Sequence, residues 1–128
     1  MTRLSKGAGS PKTGLEGTWF ARSATLAGKD APKIVGQRLS FNGDRFRITK
    51  EGKLLFGGNF SVDATAEPPS IQFEQSETQT LSGSWLGIYE LDGNTLRICD
   101  NAPDMTKPRP KNFSECAAAG YVLIRFSR

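Results

Sequence analysis

The sequence has no histidine, and only two cysteines, two tryptophans and two tyrosines in 128 residues. Without His, the commonest general base and metal ligand is missing. Two thiols without His do not make a zinc site. Glu74, Glu77 and Glu90 fall on separate strand or loop faces, so no pair of carboxylates is set up for acid–base work. Gly57-Gly58 leads into no helix that would hold a phosphate. No catalytic residue, no metal ligand, no cofactor and no enzymatic activity is therefore expected. Nor is there an apolar run of the roughly 18 residues that a membrane-spanning helix needs. Residues 1–14 carry Arg3, Lys6 and Lys12 without the apolar stretch of a secretory signal. A cytoplasmic protein is expected from the sequence as it stands, and a periplasmic or extracellular one had a signal been removed.

Charge of either sign is unconcentrated. Seventeen Lys and Arg against thirteen Asp and Glu leave a net charge of +4, spread along the chain without a basic cluster. A nucleic-acid partner is not expected from that pattern. The length suits one domain, and a monomer is expected.

What is present is alternation. Gly87-Ile88-Tyr89-Glu90-Leu91 and Thr95-Leu96-Arg97-Ile98-Cys99 flank Asp92-Gly93-Asn94, which reads as a hairpin. The same grammar predicts strands over 16–26, 38–42, 45–50, 53–63, 70–75, 85–91, 95–99 and 121–127. In 53–63, Leu54, Phe56, Gly58, Phe60 and Val62 share one face. Paired glycines at 57–58 predict a bulge or bend there. In the first strand Trp19, Ala21 and Ser23 share a face. Asp30-Ala31-Pro32 reads as the cap of one short helical turn. Residues 1–14 read as a disordered leader, 76–80 as a polar loop and 102–120 as a long irregular connection. Eight strands with mostly short connections predict an all-β fold, a small antiparallel barrel spanning 15–128.

Three motifs in this order carry a family resemblance. Leu15-Glu16-Gly17-Thr18-Trp19 is similar to the Gly-x-Trp entry of lipocalin-type barrels. The stretch from Gly87 to Cys99 resembles the central signature of a small bacterial lipocalin-like domain family abundant in planctomycetes. Lys107-Pro108-Arg109-Pro110-Lys111-Asn112-Phe113 resembles the Arg-Pro loop that follows it. The resemblance implies an eight-stranded lipocalin-like (calycin-type) barrel and carries over no catalytic residue. In such barrels the Trp packs at the closed end under an Arg from near the last strand. Here that makes Trp19 a structural latch with Arg125 or Arg128 over its ring.

The predicted inward aromatics Phe46, Phe56, Phe60, Phe73 and Tyr89 have two readings. They line an apolar ligand pocket, with Tyr89 as a polar handle, or they close-pack into a filled core. The filled core is favoured. Trp85 beside Ser82-Gly83-Ser84 either stacks on a ligand or caps the core. The loop 107–111 reads as a strap over the barrel before it reads as a polyproline recognition segment, with Arg109 engaged in a salt bridge or with backbone carbonyls. Cys99 and Cys116 can bridge if the last two strands are neighbours, but the lack of a visible export signal favours free thiols. A small apolar or amphipathic ligand at the barrel mouth is the expected partner. A protein-interaction or inhibitor-type module and a structural appendage domain without ligand are the alternatives.

Overall fold

The computed structural model describes residues 14–77 and 83–128. The leader predicted over 1–14 lies outside the described residues apart from Gly14, and so does the loop predicted over 76–80 beyond Glu77. The strands are β1 (Gly17–Leu26), β2 (Lys29–Asp30), β3 (Arg38–Asn42), β4 (Arg45–Lys50), β5 (Lys53–Asp63), β6 (Ser70–Gln75), β7 (Gly83–Asp92), β8 (Thr95–Asp100) and β9 (Val122–Ser127). From β3 onward every strand pairs antiparallel with the next, β1 pairs with β3, and β9 pairs with β1. The eight long strands thus close into an antiparallel barrel, as the alternation predicts. Closure leaves no exposed sheet edge among them, which an open sheet of this size would have to protect. The two-residue β2 adds a short ribbon to β1.

Local chemistry explains the meander. Asn42 pairs with Arg45 across Gly43-Asp44, and Asp92 pairs with Thr95 across Gly93-Asn94. Both are two-residue connections with Gly supplying a positive φ that suits the twist of a hairpin. Along the strands, alternate residues enter one core containing Trp19, Phe41, Phe46, Phe60, Phe73, Leu96 and Phe126. That burial is the main stabilising term of the fold.

Three details depart from the sequence reading. The β4–β5 bulge lies at Leu55, between the pairs Ile48–Phe56 and Thr49–Leu54, and Gly57-Gly58 pair regularly. These glycines answer to space: a Cβ on Gly58 would stand 1.9 Å from the Glu74 carbonyl oxygen. A second irregularity sits where Arg125 pairs with Ser23 but Phe126 pairs with Ala21. The extra residue in β1 shifts its face, so Ala24 is buried and Ser23 is exposed. Asp30 is not a helix cap. It belongs to β2, and the turn after it begins with Ile34 N–H donating to Ala31 O.

The connection between β8 and β9 runs over the outer wall as a strap. It contains a 3-10 turn, Phe113–Ala117, capped by the Asn112 side chain. Cys99 and Cys116 form a disulfide, which corrects the expectation of free thiols. The physical reason is strand order: β8 and β9 are neighbours, and Cys99 points outward toward the strap. With Ile88 and Tyr121 the bridge makes a second, smaller core outside the barrel. Asn101 holds the start of the strap, its Oδ1 accepting from Leu86 N–H at 2.8 Å and its Nδ2 donating to Lys107 O at 2.7 Å. Tyr121 Oη donates to Pro108 O at 2.9 Å. Arg109 Nε is buried without a hydrogen-bond partner among the described residues, while its charge helps to lower the Asp63 carboxyl.

Candidate functional site

The two ends of the barrel are built differently. At one end the segment ahead of β1 folds across the opening. Leu15 is wholly buried there, and Trp19 Nε1 donates to Leu15 O at 2.9 Å. The Arg128 guanidinium lies 4.2 Å from the Trp19 ring centroid. Arg128 also donates to Gly14 O and Glu16 O, at 3.2 and 3.0 Å. Of the two arginines considered for this place, Arg128 holds it. Arg125 is exposed on the outer wall, opposite Ser23 and Arg97.

From the closed end a chain of rings climbs the wall made by β3 to β7. Phe60 meets Phe41 at 4.6 Å between centroids, and Phe41 meets Phe73 at 6.4 Å. Phe73 contacts Phe46 at 4.8 Å and Trp85 at 5.5 Å. Trp85 meets Phe56 edge-on at 5.6 Å. Pairs in these geometries are worth about 0.5–1.5 kcal/mol each beyond their area. The opposite wall is slighter toward the open end, where Ala21 and Ala24 of β1 and Val122 and Ile124 of β9 face in.

The consequence is a cavity of about 270 Å3 at the open end. Its apolar lining includes Ile48, Phe56, Trp85 and Ile124, with Leu26 and Ile34 toward the rim. Leu26 is 43 % exposed, so the cavity opens to solvent. The lining contributes two polar side chains, Gln37 and Asp100. Asp100 is 5 % exposed. Burial pushes its carboxyl up to about 7, opposed by the hydrogen bond it accepts from Ala102 N–H.

Of the six aromatics considered as ligand contacts, two line this cavity: Phe56 and Trp85. Phe46, Phe60 and Phe73 are packed against other rings and do not reach it. Tyr89 stands toward the closed end, opposite Ile98. Burial first, and the Asp63 charge second, raise its phenol above the ordinary range. The filled-core and pocket readings therefore divide the barrel by height. Asp100 was missed, although the β8 series Leu96, Ile98, Asp100 places a carboxylate on the inward face.

A larger groove of about 670 Å3 lies on the outer face of β1, β3 and β4. Its polar walls include Arg45 and Arg47, and Glu77 pairs with both. The two guanidiniums share the one Glu77 carboxylate, and the groove walls are as polar as they are apolar. Among the described residues no helix is long and apolar enough to cross a membrane.

Fold and site together describe a closed antiparallel barrel with one latched end and one apolar mouth. Compared with models of known protein families, with curated proteins and with solved structures, the chain matches none.

Proposed function

We propose that this protein is a binding module that takes a small, largely apolar molecule into the open mouth of its barrel. The observation that carries this reading is the mostly apolar cavity beside Phe56 and Trp85. Its volume is just under the ~300 Å3 where small-molecule sites usually begin. The ligand is therefore compact rather than a long lipid. The proposal agrees with the lipocalin-like resemblance of the three sequence motifs, and it assigns the protein no catalytic step. The protein-interaction alternative has weaker support. The exposed large apolar side chains among the described residues are Leu26, Val35 and Leu54, all toward the open end and few for a protein-docking patch.

Native mass spectrometry of protein purified from its own host tests the reading. The expected spectrum shows an added small-molecule mass that is lost on denaturation. Ile48→Trp, which fills the cavity with apolar volume, should lose that mass while remaining folded. A bare mass for the unaltered protein would count against a carrier role.

A further inference from the structure

Among the described residues that line the cavity Asp100 is the one ionisable side chain, and none of the described residues supplies it with an ion-pair partner. Gly87 on β7 makes room for it: a Cβ there would fall 2.8 Å from Asp100 Cβ and 2.5 Å from Cys99 O. Asp100 Oδ1 accepts from Ala102 N–H at 2.9 Å. Among the described residues no Lys or Arg forms an ion pair with it. None of the residues lining the cavity from β1, the connection after it, β4, β5, β7 or β9 is ionisable, and Gln37 is the other polar one. Residues 78–82 contain no ionisable side chain either. A carboxylate held in an apolar recess without a cation is costly, and an entering cation removes that cost. The rest of the lining offers hydrocarbon and aromatic surface.

We propose that the mouth selects compact apolar amines, the ammonium bonding the Asp100 carboxylate while the hydrocarbon part packs against Phe56, Trp85 and Ile124. This rests on the binding reading above and adds the head group to it. Burial of Asp100 makes the selection pH-dependent. The carboxyl is protonated well below neutrality and ionised above it, so amine binding strengthens as pH rises. Lys50, whose Nζ donates to Lys33 O, and Lys53 stand at the same end of the barrel. They would favour an acid if the rim rather than the interior governed the choice.

The test uses three probes of similar shape: benzylamine, toluene and benzoate. Binding to the full chain is followed by NMR through the Trp85 indole, with the Trp19 indole as internal control. At about pH 8, benzylamine should bind at least about tenfold tighter than toluene. It should move Trp85 and leave Trp19 in place. Its affinity should fall by about tenfold or more on lowering the pH to about 5. Asp100→Asn should remove the amine preference and the pH dependence. Equal binding of benzylamine and toluene, or a flat pH profile in the unaltered protein, would overturn the amine proposal and leave the apolar mouth standing. Preference for benzoate would overturn it as well. If no probe moves Trp85, the binding reading fails together with it. The pH profile of the unaltered protein gives its answer even if Asp100→Asn does not fold.

Discussion

The two ends of this barrel use the same alternation to opposite effect. At the closed end both walls bring large side chains, with Trp19, Leu15, Leu96 and Phe126 facing Phe41 and Phe60, and the interior is filled. At the open end one wall keeps its rings, Phe56 and Trp85, while the other offers Ala24, Val122 and Ile124. The difference between a core and a cavity is thus a matter of which residues stand opposite the aromatics. Polar groups follow the same division. At the closed end Trp19 Nε1 and the Arg128 guanidinium find backbone oxygens. At the open end Asp100 is buried with one backbone hydrogen bond and no cation among the described residues.

Substitutions can sharpen that contrast. Trp19→Ala should cost about 4 kcal/mol in urea denaturation, because a filled site cannot collapse around the loss. Ile124→Ala, beside existing empty space, should cost about 1–2 kcal/mol. Equal costs would mean that the two ends are packed alike.

Asp100 should set the pH dependence of stability. Its carboxyl is raised from the ordinary 3.8 to about 7 in the folded state. Between those values the unfolded chain has released the proton and the folded chain still holds it. The Asp100 contribution to stability is therefore full below about pH 4 and falls as pH rises toward about 7, by roughly 4 kcal/mol at most. Asp100→Asn keeps the acceptor for Ala102 N–H and should flatten this component of the profile, seen by thermal denaturation at stepped pH.

The disulfide lies outside both interiors. Its residues are 17 apart in sequence, and replacing both by Ala should lower stability by about 3 kcal/mol. Strand pairing should persist in the far-UV spectrum, since the bridge fastens the strap and not the barrel wall.

Small effects are expected at the two arginines considered for the latch. Arg128→Ala should cost about 1–2 kcal/mol through the lost ring contact and two backbone hydrogen bonds. Arg125→Ala, exposed on the outer wall, should cost under about 0.5 kcal/mol. A reversal of that order would move the latch to Arg125.

Most of the barrel was legible in the sequence because period-two burial leaves a direct trace. The strands over 38–42, 45–50, 53–63 and 70–75 have the predicted bounds. The bulges were not legible. Gly57-Gly58 carries the composition of a bend, yet the extra residue is Leu55, and its place depends on how β4 pairs with β5. The same holds for β1, where one extra residue exchanges Ser23 for Ala24 on the inward face. The site was half legible. Alternation tells which aromatics point inward, so Phe46, Phe56, Phe60, Phe73 and Tyr89 form one set by that criterion, with Trp85 read apart as a ligand-stacking or core-capping residue. It does not tell their height in the barrel or what faces them, and that is what separates Phe56 and Trp85 from the rest. The pairing of Cys99 with Cys116 depended in the same way on β8 and β9 being neighbours.

Xenon pressure on crystals of the protein distinguishes the two ends, because xenon enters dry apolar space and little else. Xenon is expected between Ile48, Phe56 and Ile124 at the open end, and none among Phe41, Phe60 and Phe73. An empty mouth, or xenon lodged among the rings of the closed half, would contradict it.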